Sequence, residues 1–321
     1  EDRLFKSGGL FANGDNQTGS TKSDGFTPRV LSSFNATDGI TINAQASKGF
    51  RLGGINDPLN IPLCSGGAGG IDALTYGNRP RYDDETLWNY ELGVKTQGRG
   101  FTFNAAAFYT DIKNLQATAD AGSCSSRVVF NVPKAHTQGF EFELSASPAE
   151  GLDLGISGSI VSAKFDSSVT TTAGAVIAGI RDGNRLPTVP KFQISANASY
   201  SFPVSAGAEA YVATSIQHVG NRITQPSDQE GNPRSFVSGL AFAGAPGTNA
   251  TTLNLILPSY ELVNLSAGVD FENGLSVVGY VNNLFDENAL LSFDRERGGR
   301  ARLGFSTNSP RTYGITVRKS F

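Results

Sequence analysis

Apolar and polar side chains alternate one for one along stretch after stretch of this chain, and a period of two is the signature of a strand with two different faces. Phe101, Phe103, Ala105, Ala107 and Tyr109 share one face, while Thr102, Asn104, Ala106 and Phe108 share the other. Phe140, Phe142, Leu144 and Ala146 alternate with Glu141, Glu143 and Ser145. Leu152, Leu154, Ile156 and Ile160 alternate with Asp153, Ser157 and Ser159, and Phe192, Ile194, Ala196, Ala198, Tyr200 and Phe202 with Gln193, Ser195, Asn197, Ser199 and Ser201. The last run sets Tyr313, Ile315, Val317 and Phe321 against Thr312, Thr316, Arg318 and Ser320, with Lys319 as the one charge on its apolar face. No stretch sustains the i, i+3, i+4, i+7 stripe of a long helix. Strands are expected over residues 28–36, 40–50, 86–97, 101–115, 128–147, 152–166, 190–204, 208–224, 259–272, 275–288 and 309–321, with 1–6 reading as the tail of one more. Several are about twice the usual strand length of ~5–6 residues, enough for a tilted membrane crossing, which needs ~9–11.

The connections alternate between short and long. Those at residues 35–39, 97–100, 147–151, 203–207 and 272–274 are short and all contain glycine, which permits tight reversals. Those at 7–27, 51–85, 116–127, 167–189, 225–258 and 289–308 are long, polar and rich in Gly, Asn, Asp, Ser and Pro. Long structureless loops are foreign to an ordinary compact domain. Recurring at one end of every strand pair, they form the pattern of an outer-membrane barrel. A barrel of about eight strands is filled by its own side chains. Eleven long strands enclose more space than Ser, Thr, Asn and Gly fill, so the polar face is expected to surround water and the apolar face to meet lipid. Phe101, Phe103, Phe140, Phe142, Phe202, Phe271 and Phe321 are expected to form an aromatic girdle at the periplasmic rim. The competing readings are a passive porin and a soluble or secreted β-rich adhesin, in which the apolar face is a dry core.

Composition removes other classes. A net charge of −3 excludes a basic nucleic-acid binder. No window approaches the ~18 apolar residues of a spanning helix. The 321 residues include no methionine and open on no charged-then-apolar leader, so the sequence reads as an internal piece running to a true C-terminus, with upstream strands absent. Its 38 glycines are about twelve per cent of the chain, against an average near ~7%. There is no credible enzyme site. The glycine run at 66–70 lacks the Lys-Ser/Thr of a phosphate loop, and His136 and His218 lie on separate strands. Neither a metal site nor a cofactor is expected. Asp83, Asp84 and Glu85 read as the charged start of a strand, with a calcium site as the alternative.

Five stretches then resemble TonB-dependent outer-membrane receptors: residues 47–56 (SKGFRLGGIN), 85–95 (ETLWNYELGVK), 107–116 (AFYTDIKNLQ), 138–143 (QGFEFE) and 280–287 (YVNNLFDE). In this order and on these strands, the set resembles the C-terminal part of that family's barrel. Tyr313, Ile315, Val317 and Phe321 resemble the signal read by the barrel-assembly machinery, although Lys319 stands where the family usually has an aromatic residue. The resemblance implies an all-β fold, a transmembrane antiparallel barrel of which this chain supplies about 11–12 of 22 strands. It also implies an N-terminal plug domain that lies outside this sequence, energisation by the TonB complex, residence in the bacterial outer membrane among its lipids, and uptake of a scarce nutrient such as a ferric siderophore.

Candidate ligand contacts are Arg51, Arg79, Arg81 and Tyr82 in the second long loop and Arg295, Arg297 and Arg300 in the last, because cations and aromatic rings suit an anionic chelate. Glu141, Glu143, Asp153 and Arg318 are expected to face the lumen and to pair across strands. Cys64 and Cys124 lie in neighbouring long loops. They are either two unrelated thiols or, as expected here, a disulfide between surface loops.

Overall fold

The computed structural model describes residues 2–5, 17–77, 79–124, 126–237, 248, 250–295 and 303–321. Eleven strands form its main sheet: β1 (Arg29–Thr37), β2 (Ile40–Arg51), β3 (Glu85–Gly98), β4 (Phe101–Asp120), β5 (Arg127–Ala149), β6 (Leu152–Phe165), β7 (Phe192–Ser205), β8 (Ala208–Val219), β9 (Tyr260–Phe271), β10 (Leu275–Asn282) and β11 (Thr312–Lys319). Each pairs antiparallel with the strands next to it in this list. Short connections force that order, since a tight turn can only join neighbours. Gly100 and Gly151 hold φ of 76° and 74° in two of the turns, a region closed to most side chains. Among the described residues β1 and β11 have one neighbour each, so the sheet is open. Asp2–Phe5 pairs with Gln17–Ser20 as a separate ribbon rather than extending the wall.

The register lets each face be followed across the wall. Asn35, Thr41, Lys95, Asn104, Glu143, Ser157, Ser195 and Gln217 stand directly opposite one another in succession, one polar row over eight strands. The neighbouring row runs Ile40, Thr96, Phe103, Leu144, Ile156, Ala196, Ile216 and Val263. A one-residue slip at any pairing would mix the two rows. From Lys95 to Gln217 the polar row lines a trough of about 780 Å³ that reaches from Arg29 on β1 to Gln217 on β8, so the sheet bends around its polar face. On that face aromatic rings lie over directly opposed glycines. A Cβ at Gly268 would meet Tyr211 at 2.6 Å, and one at Gly139 would meet Phe108 at 2.8 Å. Part of the glycine excess is thereby explained. On the other face Tyr313 and Ile315 are 81% and 76% exposed. So broad an apolar surface is stable against hydrocarbon and not against water.

Phe101 and Phe202 lie near the short turns as expected. Phe140 does not, because β5 is long enough to place it mid-wall, opposite Ala107 and Ile160.

The face assignment makes a direct prediction. With lipid expected on the apolar face, Ile156→Arg should place a charge in hydrocarbon and cost ~2–4 kcal/mol. Ser157→Arg points into the trough and should be nearly silent. Denaturant unfolding of the two variants in bilayers compares them, and equal costs would contradict the assignment.

The long connections depart from expectation, since they are not structureless. Residues 116–127 are mostly strand, because β4 and β5 run on to Asp120 and Arg127. Residues 51–85 fold into a short pairing of Gly54–Ile55 with Arg81–Tyr82 and a one-turn-and-a-half helix, α1 (Ile71–Tyr76). Further ribbons pair Arg222–Ile223 with Ile256–Leu257 and Arg234–Val237 with Ala250–Leu253. The buried apolar cluster sits here, at the loop end: Leu59, Ala73, Ala119, Val128, Phe130, Val132, Phe165, Ile177 and Ile180. The wall itself has no dry core among the described residues. Apart from rings such as Phe108 and Tyr211 that lie over glycines on the polar face, its apolar side chains face outward, and the loops make the core as a cap.

Candidate functional site

The cap is fastened by side chains that satisfy the backbone of distant loops. Asn56, buried, donates from Nδ2 to the carbonyls of Arg79 (2.9 Å) and Val129 (3.0 Å) and accepts from the Val129 amide (2.8 Å). Asp72 accepts from the Ser123 amide and hydroxyl, tying α1 to the β4–β5 tip. Cys64 and Cys124 are bonded to each other across a separation of 60 residues. Both are buried among Leu59, Ala73 and Ala121, so the bond is a core element of the cap rather than a link between surface loops.

The first arginine group separates into different roles. Arg51 donates from Nη2 to the Glu85 carboxylate at 2.8 Å and to the Gln116 carbonyl at 2.9 Å. Glu85, buried, also accepts the Gln116 amide at 2.7 Å, so Arg51 is neutralised while joining β2, β3 and β4. Arg79 lies over the Phe130 ring, its guanidinium carbon 4.6 Å from the centroid. It has no carboxylate partner among the described residues, and its buried Nε has no acceptor. Arg81 is exposed opposite Ile55, and Tyr82 is half-buried against Gly54. Arg79, Arg81 and Tyr82 therefore all lie at the cap, each against a different neighbour, and Arg51 is bound to Glu85 instead. Of the second group, Arg295 ends a strand, Leu290–Arg295, that pairs with Leu303–Thr307. Arg297 and Arg300 lie outside the described residues.

Glu141 and Glu143 line the trough. Asp153 shares the polar face but accepts from the Ser147 hydroxyl at 2.5 Å beside a short turn. Arg318 stands opposite Ser276. The expected pairing across strands is absent among the described residues, because the direct neighbours are not opposite charges: Ala106 and Ser159 for Glu141, Asn104 and Ser157 for Glu143. Tyr313, Ile315 and Val317 occupy the apolar face of β11, and Phe321 is fully exposed beyond it. Lys319 turns its ammonium back to the Asn273 carbonyl.

Asp83, Asp84 and Glu85 are spent on loop posts. Asp84 accepts from the Ser23 hydroxyl and the Gly53 amide, and the Asp83 amide donates to Asn131. No group of potential metal ligands assembles among the described residues. Asn56, Asp72 and Phe130 were not marked by any periodicity. Their hydrogen-bond partners lie 23 to 73 residues away.

A second clasp joins the two later long loops. Arg181 donates to Glu230 at 2.7 Å and Asn184 donates to the same oxygen at 2.9 Å. The Arg181 hydrogen bond, with help from Asn184, holds the Glu230 carboxyl below its ordinary range. A depressed native pKa contributes stability that is complete above the unfolded glutamate value, near ~4.3. That stability is lost as pH falls from there through the lowered native value. Amide-exchange protection of residues 181–184 should therefore fall on acidification, and Glu230→Gln should flatten the profile. Protection independent of pH in the native sequence would contradict this.

Residues 5–284 match the family model described as TonB dependent receptor-like, beta-barrel. The chain is 23% identical over 314 residues to the pesticin receptor of Yersinia pestis, covering 98% of this chain and 39% of that protein. It is 29% identical over 264 residues to the metal-pseudopaline receptor CntO of Pseudomonas aeruginosa, covering 81% of this chain and 29% of the relative. In structure it is similar to the ferric yersiniabactin uptake receptor FyuA of Yersinia pestis, with a TM-score of 0.69 at 20% identity over 97% of this chain and 39% of that one. The siderophore receptor PiuA of Acinetobacter baumannii gives a TM-score of 0.62 at 16% identity, over 95% of this chain and 37% of that one. The chain thus spans about two fifths of the length of the first of these relatives.

Proposed function

The chain belongs to the TonB dependent receptor-like β-barrel family, and from that premise we propose that it is part of the wall of a receptor for uptake of a scarce nutrient, a ferric siderophore or similar metal chelate. The family consists of outer-membrane transport receptors, not enzymes. The open edges of the sheet are closed by further strands toward a 22-stranded barrel, since unpaired ladder groups are not tolerated in hydrocarbon. A plug domain fills the lumen against Glu141 and Glu143. The TonB complex supplies the energy through that plug, lipid covers the apolar face, and the assembly machinery reads β11 and Phe321.

The observation that carries the choice of ligand class is the cap cation pair. Arg79 and Arg81 have no carboxylate of their own among the described residues, and Arg79 is half-buried on a frame fixed by Asn56 and a disulfide. A preorganised cation beside an aromatic ring binds an anionic, aromatic-bearing chelate without the entropy cost of ordering a free loop. The printed names of the relatives, a metal-pseudopaline receptor and a ferric yersiniabactin uptake receptor, agree with a metal-chelate class.

The test is uptake of radio-iron chelates by a receptor-null strain carrying the full-length protein, with and without a functional TonB. Energy-dependent uptake of one chelate is expected, and Arg79→Ala with Arg81→Ala should weaken its binding at least tenfold. Uptake that persists without TonB, or a double variant that binds unchanged, would overturn the proposal.

A further inference from the structure

We propose that Arg181 and Asn184 form a carboxylate-binding turn at the cap, that Glu230 occupies it as an internal stand-in, and that a carboxylate of the incoming chelate displaces Glu230. The turn belongs to the fourth long connection, and its shape does not depend on its occupant. Ile177 and Ile180, both buried in the cap cluster, anchor it. The Arg181 amide donates to the Gly179 carbonyl and the Asn184 amide to the Arg181 carbonyl. Asn184 Nδ2 also donates to the Gly179 carbonyl at 2.9 Å. The Gly183 amide donates to the Phe165 carbonyl and the Asp182 amide to the Ser168 hydroxyl. The backbone of one loop therefore aims both side chains.

Glu230 reaches this turn from the fifth long connection and delivers one oxygen only. Its Oε1 accepts from Arg181 Nε at 2.7 Å and from Asn184 Nδ2 at 2.9 Å. Its Oε2 and the Nη groups of Arg181 make no hydrogen bond among the described residues. A guanidinium is shaped for two parallel N–H···O bonds to a carboxylate, so the pair is half used. The Arg181 and Glu230 side chains are 53% and 32% exposed, which leaves Glu230 free to swing into water. Its backbone stays in place when it does so, because other contacts hold that segment. Gln229 accepts from the Arg185 amide at 3.0 Å and donates to the Arg185 carbonyl at 2.9 Å. The two loops meet backbone to backbone at Gly179, where a Cβ would come within 2.4 Å of Ser227 Cα.

A carboxylate that engages Nε, one Nη and Asn184 together makes one bond more than Glu230 makes. Free in solution, it must still compete with a tethered rival whose effective concentration is millimolar or higher. A chelate already held at Arg79 or Arg81 is itself tethered and competes on equal terms. Glu230 thereby screens out small free carboxylates and yields to an anchored one. The neighbouring Arg185 is not open in the same way, since Asn221 and the Val189 carbonyl occupy its guanidinium. Asp182 is exposed beside the turn and in no ion pair among the described residues. It repels Glu230 and an external carboxylate alike, so it does not alter their competition. The inference rests on the reading that the cap takes an anionic chelate, and adds to it a second anion contact with a built-in competitor.

The experiment titrates the full-length protein in detergent with citrate, a metal-free polycarboxylate, by calorimetry at neutral pH and fixed ionic strength. Glu230→Ala should bind citrate at least about tenfold more tightly than the native sequence, the worth of one charge-assisted hydrogen bond no longer contested. Glu230→Gln, which keeps the side-chain length and removes the charge, should change binding in the same direction. Adding Arg181→Gln to Glu230→Ala should abolish the gain. Glu261→Ala removes one carboxylate from the outer wall and should leave native binding unchanged, which separates competition from net charge. The trimethyl ester of citrate should bind none of these proteins. Glu230 variants that both bind within twofold of the native sequence would overturn the proposal. So would a gain that survives Arg181→Gln, an equal gain from Glu261→Ala, or an ester that binds like citrate. The titration involves neither Arg79, Arg81 nor uptake, so its failure leaves the chelate reading standing, and failure of the uptake test leaves the citrate result as measured.

Discussion

Phe130→Ala is expected to loosen the whole extracellular cap at a cost of about 3–5 kcal/mol, the usual range for truncating a buried phenylalanine. Phe130 is 2% exposed, meets the Tyr76 ring edge-on with centroids 6.2 Å apart, and carries the Arg79 guanidinium on its face. It belongs to the one buried cluster that gathers pieces of the second, third and fourth long connections, so its loss should be felt across all of them. Amide-exchange protection of residues 119–121, 128–132 and 177–180 should fall together in the full-length protein. Phe140→Ala, on the outer wall, should leave those amides unchanged. Because Arg79 loses its platform, chelate binding should weaken in the same variant. Unchanged protection around residue 130 would show that the cap is not one cooperative unit.

The second large effect comes from the disulfide. For a loop closed by cysteines separated by 60 residues, the chain-entropy relation gives about 4 kcal/mol. Replacing both cysteines, Cys64→Ser with Cys124→Ser, should therefore expose residues 51–85 to protease on intact cells, and a reductant should do the same to the native sequence. The bond lies in the cluster that contains Phe130. Combining the two changes should accordingly cost less than their sum, as expected for sites that share partners. A cysteine-free protein with native protease resistance would contradict the role assigned to the bond. Its position at the long-loop end fits an oxidising exterior.

The wall was legible in the sequence because alternation is a local property. Ile156 and Ser157 announce their faces by neighbouring each other, and the short turns announce which strands pair. The cap was not legible, because its core is gathered from isolated apolar residues. Leu59, Ile177 and Ile180 lie in short apolar patches, 59–64 and 175–180, with no strand alternation to say what they face, and only the fold gathers them into one cluster with Phe130. The same applies to the candidate site. The cations at Arg51, Arg79 and Arg81 were visible as a group, but the carboxylate that removes Arg51 sits 34 residues away at Glu85. Nor did composition indicate that Glu141 and Glu143 face uncharged neighbours, which depends on register. Long polar connections read as unstructured whenever their folding depends on contacts between loops rather than within them.

The central claim is that hydrocarbon lies on one side of this sheet and water on the other, and a nitroxide scan of β6 tests it most directly. A label placed in turn at residues 153 to 161 of the full-length protein in bilayers reports accessibility to oxygen, which concentrates in lipid, and to a polar nickel chelate, which stays in water. Oxygen accessibility should peak at Leu154, Ile156, Gly158 and Ile160, and nickel accessibility at Gly155, Ser157 and Ser159. Two curves in phase with each other, or oxygen maxima at the serines, would contradict the account.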